Sequence, residues 1–405
     1  MLSPEPPYPL QGGGAFRIAS LLHYFARFAD VDLIQFSDSG FPADLPPGLV
    51  RSHHTIPLPR HSRSTVARYF RNGRRAILGV PPLIERLAGL ESPIEHAIMR
   101  ATTDQYDVGV IEHSWCAPYV DLLARHCKRT VLDLHNVESV LHERCAALSG
   151  GLVRAGHRRF AAASRKLERE LFPRFSAILA TSEEDAALAR EVAPEATVIV
   201  YPNALQWVEV PLLPELPRIV MSGNFEYHPN IDAVAFLSKE IWPVLRRAFP
   251  ELRLRLVGRG DGSIRHLLPS GPVEETGIEI TGPVENALSE IAQAQVVVAP
   301  IRTGSGTRIK ILEAWAAARP VVATPLAAEG LDADPGVNIV LASGSGEFAV
   351  EVGRLLRDPA ARARIGSAGR RTFEHQYTWE TAWRKLDIDL QLTLPSGVNG
   401  YTEEF

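Results

Sequence analysis

The 405-residue sequence holds only three cysteines, Cys116, Cys127 and Cys145, and no CxxC pair. That argues against a disulfide framework and a structural zinc site, and favours a reducing compartment. No apolar run approaches the roughly 18 residues that cross a bilayer. The first residues, Met1-Leu2-Ser3-Pro4-Glu5-Pro6-Pro7, have neither the basic nor the apolar region of a secretory leader. Charge of one sign is not in excess. Lysine and arginine total 43 against 47 acidic residues, a net charge of -4, which gives no case for a nucleic-acid partner. A G-x-G-x-x-G after a strand, with an acidic residue about 20 positions on, is also missing, which disfavours a dinucleotide oxidoreductase. The protein is expected in the cytoplasm, with the inner face of the cell membrane as a candidate site.

What is present is alternation. Val31–Phe36, Val108–Glu112, Thr130–Leu134, Ala177–Ala180 and Thr197–Val200 read as buried strands. Helical patterns at Phe16–Phe28, Ala117–Cys127 and Ser182–Val192 lie between them. After Pro202-Asn203 the pattern pauses through Pro211, Pro214 and Pro217, a linker signature. It then resumes with strands at Arg218–Ser222, Leu252–Val257, Glu279–Thr281, Val296–Ala299, Val321–Ala323 and Asn338–Leu341. Helices at Ile231–Phe249, Asn286–Ala292, Thr307–Ala317 and Glu347–Arg357 separate these. Two α/β units with doubly wound parallel sheets follow, residues 1–205 and 206–378, with ligands expected in the cleft between strand carboxyl ends. An amphipathic helix over about 379–392 is expected to pack back on the first unit, and 393–405 reads as a tail.

The segment Gly304-Ser305-Gly306-Thr307-Arg308-Ile309-Lys310-Ile311-Leu312-Glu313 carries the chemistry. A glycine-rich turn after a strand, with Thr307 at the helix start, offers backbone N–H groups and a positive dipole end to an anion. Arg308 and Lys310 stand in the first turn, where the dipole disfavours cations unless a di-anion is bound. Glu313, further along the helix, can accept paired hydrogen bonds from a vicinal diol such as a ribose. Phosphate donors plus a diol acceptor describe a nucleoside diphosphate. The bland reading makes Arg308 and Lys310 solvated surface cations and Glu313 an ion-pair partner.

This segment, together with Pro7-Tyr8-Pro9 and Gly12-Gly13-Gly14, Asp133-Leu134-His135-Asn136, and Val200-Tyr201-Pro202-Asn203, resembles the family-4 glycosyltransferases, retaining enzymes of the GT-B fold. The resemblance spans about Ser3 to Trp383 and is closest to the branch with a Gly-x-Gly-Thr-Arg-x-Lys motif. It implies two Rossmann-like domains facing a central cleft and sugar transfer of the hexosyltransferase type. Donor and acceptor would be a nucleotide sugar and a glycan or lipid-linked molecule, in envelope or exopolysaccharide assembly. It further implies that Arg308 and Lys310 neutralise the diphosphate, with Gly304, Ser305, Gly306 and Thr307 around it. Glu313 would hold the ribose and backbone near Val284 the base. Gly12, Gly13 and Gly14 would approach the phosphates or the acceptor, and His135 would bond the transferred sugar near its reacting carbon. The family often has two glutamates eight positions apart; here the first position is Ser305. The basic residue usual after the first strand of the second domain is also missing from Ser222-Gly223-Asn224-Phe225-Glu226-Tyr227-His228.

No cofactor and no metal are expected. The D-x-D triplets Asp30–Asp32, Asp332–Asp334 and Asp387–Asp389 lie beside a strand, in a loop and on a helix. His53, His54 and His61 read as surface residues. His135 is also compatible with a buried structural histidine, and Glu112 with His113 is compatible with an acceptor pocket or a structural role. From Leu45 to Ile84 there are seven arginines and no acidic residue, with Val66, Tyr69, Phe70, Ile77 and Leu78 interleaved. This Arg51–Arg75 segment suits an anionic membrane surface, an ordinary solvated helix, or an anionic acceptor. A nucleotide-sugar epimerase and a non-catalytic nucleotide-sugar-binding subunit remain the alternatives.

Overall fold

The structure, a computed structural model, describes residues 1–393 except 11, 39, 41, 43, 60–64, 82–86, 102–103, 285 and 305–308. The first sheet contains β1 (Leu2–Ser3), β2 (Asp32–Ser37), β3 (Ser52–Pro57), β4 (Tyr106–Glu112), β5 (Cys127–Asp133), β6 (Ala177–Ala180) and β7 (Val198–Val200). These lie in the order β3-β2-β1-β4-β5-β6-β7, all parallel. The second sheet contains β8 (Arg218–Ser222), β9 (Arg253–Val257), β10 (Ile278–Gly282), β11 (Val296–Ala299), β12 (Val321–Ala323) and β13 (Val340–Leu341). Its order is β10-β9-β8-β11-β12-β13, again parallel.

Parallel sheets are covered on both faces, so their strands are apolar without alternation. All four residues of β11 are fully buried, as are Val321, Val322 and Ala323 of β12. One continuous core serves the second sheet, whereas two clusters, one for each face, sandwich the first. In both sheets the order reverses beside the first strand, between β1 and β4 and between β8 and β11. The carboxyl ends there form the crevice in which open α/β sheets bind ligands.

Eight helices matter below: α1 (Gly13–Ala26), α2 (Thr65–Leu78), α3 (Glu138–Leu148), α4 (Gly151–Leu171), α5 (His228–Phe236), α6 (Ile309–Ala316), α7 (Pro359–Gln376) and α8 (Trp379–Thr393). The last rests on α1: the Trp383 indole donates to the Ser20 carbonyl at 3.1 Å and Arg27 faces Asp387 at 3.6 Å. No described helix is long and apolar enough to cross a membrane.

Several expectations shift. The helix expected over Ala117–Cys127 is a 3-10 turn, Ser114–Tyr119, followed by one short helical stretch, Val120–Ala124. Pro118 cannot donate within a longer helix, and Cys127 already pairs with Tyr106 as the start of β5. His53 and His54 are half-buried in β3 rather than lying at the surface, while His61 lies outside the described residues. Arg51, counted with the basic segment, is taken up by Asp32, whose carboxylate also accepts from Ser52 and Tyr106 at 2.7 Å each. This clamp ties β2 to β3 and β4 and holds the Asp32 carboxyl down to about 2 despite burial. Arg75 is buried as well.

Candidate active site

The first wall of the cleft is built on α1. Gly12 caps this helix with φ +93, a backbone region that favours glycine, and no side chain caps its free N–H groups. A Cβ at Gly13 would stand 3.3 Å from Ile309 Cγ1 in the second domain. A Cβ at Gly14 would collide with Glu5 Oε1 and lie 3.7 Å from His135 Nδ1. Glycine at 14 thus leaves room for the Glu5 carboxylate, with His135 at contact distance from the same point.

His135 follows β5 and is nearly buried. Its Nε2 lies 3.1 Å from Glu112 Oε2 and 3.6 Å from Asp133 Oδ2. Arg17, on the inward face of α1, grips Asp133 with two bonds of 2.8 and 2.5 Å. The same guanidinium donates to the Tyr201 carbonyl at 2.7 Å and to Asn203 Oδ1 at 3.0 Å. Asn203, where the strand–helix alternation pauses, therefore anchors Arg17. Glu112, Asp133 and His135 hold the spacing of a cation site among the described residues. Arg17 already supplies positive charge to Asp133.

Burial dominates the electrostatics here. It pushes the Glu112 carboxyl up to about 7, against the pull of Asp133 hydrogen bonding and Arg17. It likewise pushes Asp133 up, opposed by Arg17. It drives His135 down to about 4, so the imidazole is neutral near pH 7. Glu112 Oε1 has no hydrogen-bond partner among the described residues.

Glu112 and His113, the acceptor candidates, offer no surface to an acceptor. Glu112 stands wholly buried behind His135. His113 is buried in a left-handed backbone conformation, accepts from the Trp115 N–H at 3.3 Å and lies 3.8 Å from Glu138. Its role here is to shape the turn after β4.

The opposite wall is the carboxyl end of β8 and the start of α6. Ser305, Gly306, Thr307 and Arg308 lie outside the described residues; Gly304, Ile309, Lys310 and Glu313 do not. Lys310 is nearly buried, and its ammonium donates to Asn230 Oδ1 at 2.9 Å. Asn230, in the first turn of α5, donates in turn to the Asn224 carbonyl at 2.8 Å. Glu313 is half-buried; Oε2 accepts from the Ser222 hydroxyl at 2.8 Å, leaving Oε1 for a ligand. Burial raises its pKa, opposed by Ser222 and Lys310. Val284 packs at the edge of the core, two residues beyond β10.

Arg144 of α3 ties the two walls. Its guanidinium makes a bidentate pair with Glu329 at 2.5 and 2.7 Å and donates to the Gly304 carbonyl at 3.1 Å. Cys145 Sγ lies 3.5 Å from Thr303 Oγ1. The structure therefore brings together Gly12–Gly14 and His135 on one side and Lys310 and Glu313 on the other. The sequence reading missed Glu5, Arg17, Arg144, Ser222, Asn230 and Glu329. Only Arg17 left a signal, as a charged residue in the apolar stripe of α1.

Residues 216–358 match the family described as Glycosyl transferases group 1. The C-terminal domain is a glycosyltransferase domain. No curated protein matches the sequence. Sucrose-phosphate synthase from Thermosynechococcus elongatus is similar in structure, with a TM-score of 0.71, 16% identity, and coverage of 96% of this chain and 98% of that one. HepE of Anabaena, solved with UDP and glucose, gives 0.67 at 14% identity, covering 96% and 98%. WaaG, a glycosyltransferase involved in lipopolysaccharide biosynthesis, gives 0.60 at 14% identity, covering 96% and 99%. The fold is GT-B. Within this glycosyltransferase, β8–β13 make the domain that carries Lys310 and Glu313, and β1–β7 make the domain that carries His135.

Proposed function

We propose that this chain is a retaining, metal-independent glycosyltransferase of the family-4 type, which moves a sugar from a nucleoside-diphosphate donor to a glycan or lipid-linked acceptor. The observation that carries this reading is the pairing across one cleft of the Lys310–Glu313 face of α6 with the His135–Gly14 wall. Structural relatives solved with UDP and glucose, or with UDP-2-fluoro glucose, agree with such a donor.

In the reaction the bond from the anomeric carbon to the phosphate oxygen breaks and negative charge grows on the leaving diphosphate. Lys310 and the amino end of α6 are in place before that charge develops, so little reorganisation is needed. Glu313 takes the ribose hydroxyls. His135, neutral and backed by Glu112, makes a directional hydrogen bond to the sugar. The acceptor hydroxyl attacks on the face from which the diphosphate leaves, and the leaving phosphate takes its proton.

The reading also brings the enzyme to a membrane. Helix α2 leaves Phe70, Ile77 and Leu78 exposed at 77%, 75% and 60%, on a helix that also carries exposed Arg74. Such a mixed face suits anionic lipid headgroups. Calorimetry with UDP and nucleotide sugars, in buffer containing EDTA, tests the donor site. Absence of binding for every nucleoside diphosphate tried would end the reading.

A further inference from the structure

Glu5 lies two residues beyond β1, at the switch point where the first sheet reverses its order. The Ser3 hydroxyl bonds the Glu5 carbonyl at 2.6 Å, which pins the turn. The carboxylate then lies against Gly14, with its Cδ 3.2 Å from where a Cβ would be, and His135 Nδ1 lies 3.7 Å from the same point. Among the described residues the Glu5 carboxylate makes no hydrogen bond and no ion pair. It is only partly exposed. A carboxylate offers about four acceptor sites, and those of this partly exposed one are open to a ligand's donors.

We propose that Glu5 is a sugar-binding residue, accepting hydrogen bonds from hydroxyls of the transferred sugar beside His135. The inference rests on the nucleotide-sugar reading above. Three observations favour hydroxyls as its ligand. First, a phosphate at the amino end of α1 would be repelled by this carboxylate, so the Gly12–Gly14 turn faces the sugar and not the diphosphate. Second, Glu5 meets Gly14, the residue next to Gly13, whose Cβ position lies 3.3 Å from Ile309 of the second domain. Third, the other carboxylates of the two walls named above are buried or lie on α6. Glu112 and Asp133 are wholly buried, Glu313 bonds Ser222 beside the nucleotide end, and Gly304 to Leu312 contains no acidic residue.

The test compares wild type with Glu5→Gln and Glu5→Ala by calorimetry, using UDP, UDP-glucose, UDP-galactose, UDP-N-acetylglucosamine, GDP and GDP-mannose. The quantity read is the affinity of the preferred nucleotide sugar relative to its own nucleotide. Glu5→Ala should lower this ratio roughly tenfold or more, the loss expected for charge-assisted hydrogen bonds. Affinity for the bare nucleotide should stay the same or rise, because a nearby negative charge is gone. Glu5→Gln, which keeps one acceptor and the side-chain shape, should fall between and guards against a folding failure in the alanine variant. An unchanged ratio, or nucleotide and nucleotide sugar weakened alike, would overturn the proposal. A wild type that binds none of the nucleotides refutes the donor reading instead.

Discussion

Replacing Lys310 with methionine separates what the donor site does from what holds the fold. The ammonium is nearly buried and bonded to Asn230 at 2.9 Å. Burying the ammonium costs desolvation, which its attraction to Glu313 offsets in part, and methionine fills similar volume without either effect. Removal leaves Asn230 Oδ1 short of a donor, about 1 kcal/mol in the other direction. The two effects nearly cancel, so the thermal midpoint should move by no more than a few degrees. Binding should respond very differently. A charge-assisted bond to a phosphate contributes about 1.5–3 kcal/mol, so UDP affinity should fall roughly 10- to 150-fold. Turnover should fall further, because charge on the leaving diphosphate is greatest in the transition state. Isothermal titration with UDP and single-turnover sugar transfer measure the two quantities. UDP affinity within twofold of wild type in a folded Lys310→Met protein would refute the assignment of Lys310 to the diphosphate.

Arg144→Gln should leave stability within about 1 kcal/mol, the usual scale for a partly exposed ion pair. It should nevertheless raise the donor KM several-fold, since the guanidinium holds Gly304 at the start of the donor segment. The charge-swapped Arg144→Glu/Glu329→Arg pair should recover part of the loss, and no KM change in Arg144→Gln would count against the link. Glu112, with its folded pKa raised to about 7 by burial, contributes stability present below the unfolded value and lost as pH rises through about 7. Glu112→Gln should therefore gain about 1–3 kcal/mol over wild type at pH 8 and little at pH 5. Melts at the two pH values check this, and equal gains at both would contradict it.

Much of the architecture was legible because parallel strands covered on both faces announce themselves as short apolar runs. Ala177–Ala180, Arg218–Ser222, Val296–Ala299 and Val321–Ala323 were placed residue for residue. β3 was missed because Ser52-His53-His54-Thr55 carries neither an apolar run nor alternation, and it joins the sheet at the edge through pairing with β2. The long helix α4 went unread because its buried residues are few, Phe160, Ala161, Ser164, Glu168 and Leu171, on a chain otherwise rich in arginine.

The chemistry divides along a similar line. Lys310 and Glu313 sit on one helix, so a spacing of three positions already places them on one face. His135 and Gly12–Gly14 each follow a strand, and a strand end in a doubly wound sheet is a site by construction. Sequence alone therefore put Lys310 with Glu313 on one helix face, and His135 and Gly12–Gly14 after strands of the first sheet. Only the tertiary structure decided that Glu112 stands behind His135, that Asn203 anchors Arg17, that Arg144 reaches Gly304, and that Glu5 meets Gly14. Those contacts join residues 9 to 186 positions apart. No local periodicity records them, because burial and the closing of two sheets against each other bring them together.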